Sequence, residues 1–146
     1  MITNPSVVQI LLVDDFEPFR NHIRLLLLEQ PDLIVICEVS DGPLAVQRAE
    51  ELQPDLVLLD IGLPTLSGIE AARQIRNVAP KSNIIFVTQE SSPEIVSEAF
   101  ISGARGYIAK LDAQRDLLTG IDAVGRGEKF VSSSLTGPAF PRFTDQ

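Results

Sequence analysis

Asp55-Leu56-Val57-Leu58-Leu59-Asp60 decides the fold. Four apolar residues in a row between two aspartates leave no polar face, as expected of a strand covered on both sides. The same kind of run recurs on either side of it. Residues 7–13 are β-branched and apolar and end on Asp14 and Asp15, residues 33–39 and 83–88 are similar, and residues 106–110 make a short fifth run. Helical patterns separate them. Phe19, Ile23, Leu26 and Leu27 recur at i, i+4, i+7 and i+8, with Pro18 in the first turn. A second helix follows Asp41 and stops before Pro54, and Ser67 and Glu70 open a third at capping-box spacing that ends before Pro80. Ser92-Pro93 starts a fourth that runs toward Gly103. Asp112 stands where it would cap a fifth, which carries Leu117, Ile121 and Val124 on one face and closes at Gly125 and Gly127.

Five strand-helix units in succession imply an α/β domain with a parallel sheet and helices on both faces. In such sheets ligands bind beyond the carboxyl ends of the strands, near the switch in strand order. At those ends stand Asp14 and Asp15, Ser40 and Asp41, Asp60, Thr88 and Lys110. Three carboxylates gathered at one rim repel one another and suit a divalent cation. All-oxygen ligation suits Mg²⁺. A carboxylate is also a nucleophile able to form an aspartyl phosphate. Phosphoryl transfer then asks for a cation and hydrogen-bond donors around the phosphoryl oxygens, which Lys110 and the Thr88 hydroxyl supply. Taken singly, each feature is ordinary: an Asp-Asp pair as a solvated turn, Thr88 as a cap, Lys110 as a surface charge. Agreement at four strand ends is the signal.

The 146 residues suit one domain, and their net charge of −8 argues against direct nucleic-acid binding, which needs a basic face. No apolar run approaches the roughly 20 residues of a membrane span. Residues 1–6 lack the basic start of a signal peptide. The lone Cys37 excludes an internal disulfide and reads as an inert core thiol, consistent with a reducing cytoplasm. His22, the single histidine, reads as a surface or packing residue, and Ser132-Ser133-Ser134 as a loop and caps.

Val13-Asp14-Asp15, the run from Leu58 to Pro64, Gly68, Thr88, and Gly103-Ala104-Arg105-Gly106-Tyr107-Ile108-Ala109-Lys110 resemble, in order and spacing, the receiver domain of bacterial two-component response regulators. The resemblance covers about residues 8–130 and is strongest to receivers that precede a helix-turn-helix output domain. It implies a flavodoxin-like (βα)5 doubly wound sheet of strand order 2-1-3-4-5. It implies that Asp60 is the phosphoacceptor, with Mg²⁺ held by Asp15, Asp60 and the backbone carbonyl of Gly62, and by Asp14 through water. Lys110 and Thr88 would contact the phosphoryl oxygens, and Tyr107 would swing inward as Thr88 moves.

The implied donor is a histidine kinase or phosphotransfer protein, and the implied output is a change in the fourth helix, fifth strand and fifth helix. The protein would be a cytoplasmic signalling switch and no enzyme beyond its own phosphorylation and slow dephosphorylation. On this reading residues 1–130 are the receiver and residues 131–146 a tail without an output domain. The alternative is the isolated input domain of a DNA-binding transcription regulator. The downstream partner and the oligomeric state, homodimer included, stay open.

Gly62, Gln89 and Leu111 depart from the family pattern without removing an essential group. A haloacid-dehalogenase-like phosphatase would want a second acid where Gly62 stands. A dinucleotide enzyme would want a glycine-rich loop where Asp14-Asp15-Phe16-Glu17 stands.

Overall fold

Leu56, Val57, Leu58 and Leu59 are all at most 3% exposed, because their strand lies in the middle of the sheet with helices on both faces. The structure is a computed structural model in which residues 7–141 are described. The reading of residues 1–6 therefore falls outside the described residues. The elements run β1 (Val8–Val13), α1 (Glu17–Leu28), β2 (Leu33–Val39), α2 (Gly42–Leu52), β3 (Leu56–Leu59), α3 (Gly68–Val78), β4 (Asn83–Thr88), α4 (Pro93–Ile101), β5 (Gly106–Ala109), α5 (Ala113–Gly125) and β6 (Phe130–Val131). A 3₁₀ turn, Lys110–Asp112, joins β5 to α5.

All strand pairs are parallel, in the order β2-β1-β3-β4-β5-β6. The fold is the flavodoxin-like doubly wound sheet, with one correction. A sixth strand pairs Gly106 with Phe130 and Tyr107 with Val131. Two residues are too short to carry a periodic signal, so this strand is invisible in the sequence. The boundary expected at 130/131 lies inside it.

Each face of the sheet has its own core. On one side α1 and α5 bring Ile23, Leu27, Leu117, Ile121 and Val124 against Ile10, Leu58, Ile85 and Ile108. On the other, α2, α3 and α4 bring Ala45, Ala49, Ala72, Ile75, Val96 and Ala99 against Leu11, Val57, Leu59, Phe86 and Tyr107. Burying one of the larger aliphatics contributes about 1.5–3 kcal/mol. Small alanines on α2 and α3 let these helices approach each other and the sheet. Cys37 is half-buried, because β2 is an edge strand.

The caps at Ser67 and Ser92 form as expected, and Asp41 caps α2 as well, each side chain accepting from the backbone N–H three residues on. Asp112 does not follow that pattern. It precedes α5 but makes no side-chain capping bond to it. Its carboxylate accepts instead from Ser132 Oγ at 2.8 Å, Ser134 N at 2.9 Å and Ser134 Oγ at 2.6 Å.

Candidate functional site

Two ladder bonds beyond the last strand residues set the carboxylates side by side. Asp14 N donates to Val39 O at 3.1 Å, and Asp60 N donates to Val13 O at 3.0 Å. Asp14 and Asp60 thus leave adjacent strands at the same rim, 2% and 6% exposed, while Asp15 faces solvent. One carboxylate oxygen from each of the three lies within 4.8 Å of the others.

The loop after Asp60 is held close by α3. Gly68 N donates to Ile61 O at 2.8 Å, and a Cβ on Gly68 would lie 2.0 Å from the Asp60 carbonyl oxygen. Only glycine permits that approach, which places Gly62 on the rim of the cleft. Asp60 Oδ1 accepts from Gly62 N at 3.4 Å.

Lys110 bridges the two buried acids. Its Nζ lies 2.9 Å from Asp14 Oδ2 and 3.3 Å from Asp60 Oδ2, and 4.5 Å from the centre of the Phe19 ring. Burial pushes the Asp14 carboxyl up, against the hydrogen bonds from Lys110 and from Phe16 N, and the Asp60 charge pushes the same way. Burial opposes the charge on Lys110 too, but the hydrogen bond to Asp14 and the charges of Asp60 and Asp14 outweigh it and raise its pKa. The ammonium stays charged and partly offsets a cluster that would otherwise repel itself.

Thr88, 1% exposed at the end of β4, accepts from Glu90 N at 3.4 Å. Tyr107 stands inward, its ring fully buried and 6.0 Å from that of Phe86, with its hydroxyl donating to Glu90 O at 2.9 Å. Burial, with the charges of Glu90 and Asp60, raises the phenol well above its ordinary range. A cleft of about 330 Å³ opens above these groups, with Asp15, Asp60, Gly62, Thr88, Gln89 and Lys110 on its walls.

The fold therefore gathers Asp14, Asp15, Asp60, Gly62, Thr88 and Lys110. It leaves out the second strand's end, where Asp41 is engaged in capping α2 through a 2.8 Å bond from Leu44 N. His22 packs against the Phe19 ring. Two neighbours escaped the sequence reading. Phe19 was expected only as core, although it also lies against Lys110. The Glu90 carbonyl that holds Tyr107 is a backbone group with no residue-type signature.

Chemically, the site offers two buried carboxylates and an exposed one beside a cation and a hydroxyl. Comparison with known proteins places the chain in a family. The family model described as "Response regulator receiver domain" matches residues 10–122. The nitrate/nitrite response regulator protein NarL of Escherichia coli K12 is 33% identical over 135 residues, covering 92% of this chain and 62% of NarL. The transcriptional regulatory protein LiaR of Bacillus subtilis is 33% identical over 136 residues, covering 93% and 64%. The chain thus spans less than two thirds of the length of these relatives. Among solved structures, a LuxR-family two-component response regulator from Aurantimonas sp. SI85-9A1 superimposes with a TM-score of 0.85 at 32% identity, covering 89% of this chain and 93% of that one.

Proposed function

This chain belongs to the response regulator receiver domain family, and we propose that within it Asp60 accepts a phosphoryl group from the phosphohistidine of a histidine kinase or phosphotransfer protein. An Asp60 oxygen attacks phosphorus, the bond from phosphorus to the donor nitrogen breaks, and its electron pair leaves with the donor. The observation that carries this reading is the placement of Asp60: nearly buried, at the floor of the cleft, with Lys110 on one oxygen and Gly62 N–H on the other.

The donor set fits Mg²⁺, since three carboxylates converge within 4.8 Å and one of them is open to solvent. Asp15, Asp60 and the Gly62 carbonyl would hold it, with Asp14 acting through water. When bound, Mg²⁺ supplies positive charge that offsets the carboxylates and the phosphoryl oxygens. Lys110 and the Thr88 hydroxyl would hold the remaining oxygens. The added charge of about −1.5 to −2 then draws both groups toward Asp60 and biases α4, β5 and α5. A kinase partner and a free Cys37 fit a cytoplasmic location; no helix among the described residues is long and apolar enough to cross a membrane.

Acetyl phosphate with Mg²⁺ tests the assignment. The chain gains one phosphoryl group by intact mass, Asp60→Asn gains none, and Asp15→Ala loses both Mg²⁺ affinity and labelling. Undiminished labelling of Asp60→Asn would refute it.

A second reading, the input domain of a transcription regulator, is favoured by the relatives. LiaR is called a transcriptional regulatory protein and is longer than this chain. The intact mass of the native gene product separates the two.

A further inference from the structure

The segment after α5 is fastened to the end of β5 that delivers Lys110. β6 pairs with β5, and Ser132 N donates to Tyr107 O at 3.0 Å. The Ser132 hydroxyl, fully buried, accepts from Ala109 N at 3.0 Å and donates to Asp112 Oδ2 at 2.8 Å. One hydroxyl therefore clasps the residue before Lys110 and the residue two after it. Asp112 is 1% exposed, and its second oxygen is buried without a hydrogen-bond partner among the described residues. Its carboxylate makes no capping bond to the helix it precedes, from which the Arg115 guanidinium stands 3.9 Å from Oδ1; the serines hold it. The neighbouring Ser133 serves a different acid, donating from N and Oγ to Asp116 Oδ2 at 2.8 and 2.7 Å. Leu135, 2% exposed, anchors the segment in the core on the α4 side.

We propose that Ser132 is a positioning residue for Lys110: by bridging Ala109 N–H and the Asp112 carboxylate it fixes the corner from which the Lys110 ammonium reaches Asp14, Asp60 and an incoming phosphoryl group. This rests on Asp60 being the phosphoacceptor. Lys110 must exchange partners within the cleft, from carboxylate oxygens to phosphoryl oxygens, while its backbone stays fixed. Ser132 removes the backbone's freedom and leaves the side chain's. Misplacing a charge-stabilising group by about 1 Å is enough to slow a reaction on the order of a hundredfold. A loosened corner that still samples the right geometry loses less. The hydroxyl accepts from the buried Ala109 N–H, so its removal takes that bond away.

The test uses the full 146-residue chain as wild type, Ser132→Ala, Ser132→Thr and Ser133→Ala, with acetyl phosphate as donor. The maximal phosphorylation rate of Ser132→Ala falls on the order of tenfold, while Mg²⁺ affinity stays within about twofold, because the metal-holding groups lie on other strands. Ser132→Thr, which keeps the hydroxyl, recovers the rate. Ser133→Ala, in the same segment but bonded to Asp116, keeps the wild-type rate. Amide exchange at Ala109, measured without phosphodonor, accelerates in Ser132→Ala alone.

An equal loss in Ser133→Ala, or a parallel loss of Mg²⁺ affinity in Ser132→Ala, would mean general loosening and overturn the proposal. So would an unchanged Ser132→Ala rate in a wild type that labels at Asp60. A wild type that takes no phosphoryl group at Asp60 overturns the phosphoacceptor reading and this inference with it. Should Ser132→Ala fail to fold, Ser132→Cys carries the test against the same control, since its thiol fills nearly the same space but hydrogen-bonds only weakly; its rate falls below that of wild type, and a wild-type rate overturns the proposal.

Discussion

The Lys110 ammonium lies 2.9 Å from Asp14 Oδ2, nearer than the 3.3 Å to Asp60 Oδ2. Of the two buried acids, the cation is thus nearer the one that is not the proposed acceptor. Activation on the proposed mechanism is an exchange: Lys110 gives up Asp14 for the phosphoryl oxygens, and the charge of Asp14 passes to the metal site.

This arrangement makes the pH dependence of stability specific in sign. Burial raises the Asp14 carboxyl above its ordinary value in the folded state. Between the unfolded value and the raised folded one, the native state binds more protons, so stability falls as pH rises through that window. Asp14→Asn removes the contribution. Urea unfolding without Mg²⁺, from about pH 4 to about pH 7, should show the mutant gaining on wild type as pH rises. A mutant that loses ground over the whole range would show that its bond to Lys110 dominates instead.

Tyr107 is the only tyrosine, and the chain has no tryptophan, so the state of this ring is directly readable. Its phenol should ionise well above its ordinary range in alkaline absorbance titration, because it is buried and faces Glu90 and Asp60. Tyr107→Phe loses the bond to Glu90 O and should cost about 1 kcal/mol. Phosphorylation of the wild type should change the tyrosine emission. Thr88→Ala should still take phosphate yet lose that change, since Thr88 and Tyr107 meet at Glu90, one at its N–H and the other at its carbonyl. An undiminished emission change in Thr88→Ala would remove Thr88 from the switch.

Gln89 is exposed on the wall of the cleft that holds Asp60 and Thr88. Hydrolysis of the aspartyl phosphate needs water in line with the Asp60 oxygen. A long side chain there obstructs that approach, and a flexible amide is a poor orienting group. The phosphorylated protein should therefore decay several-fold faster in Gln89→Ala with no phosphatase present. Equal or slower decay means Gln89 is not a gate.

The sequence alone determined five strands, five helices and the acids at the strand ends, because each of these is a local property. Apolar runs such as Leu56–Leu59 need both faces covered wherever they occur, and a side chain at the end of a parallel strand can only project over the same rim as its neighbours. Ser67 and Ser92 were legible as caps because their partners lie three residues away.

What tertiary structure decided involves partners far apart in the chain. Asp112 has the position of a cap, yet serines 20 and 22 residues later supply the hydrogen bonds to one of its carboxylate oxygens. β6 exists only because β5 presents an open edge to two residues with no pattern of their own. Tyr107 is an aromatic in a strand on any reading; its inward, hydrogen-bonded state depends on the Glu90 carbonyl, 17 residues away, which no residue type announces. Local periodicity constrains which face a side chain takes, but hydrogen bonds across the sheet are settled only when every strand and strap is in place.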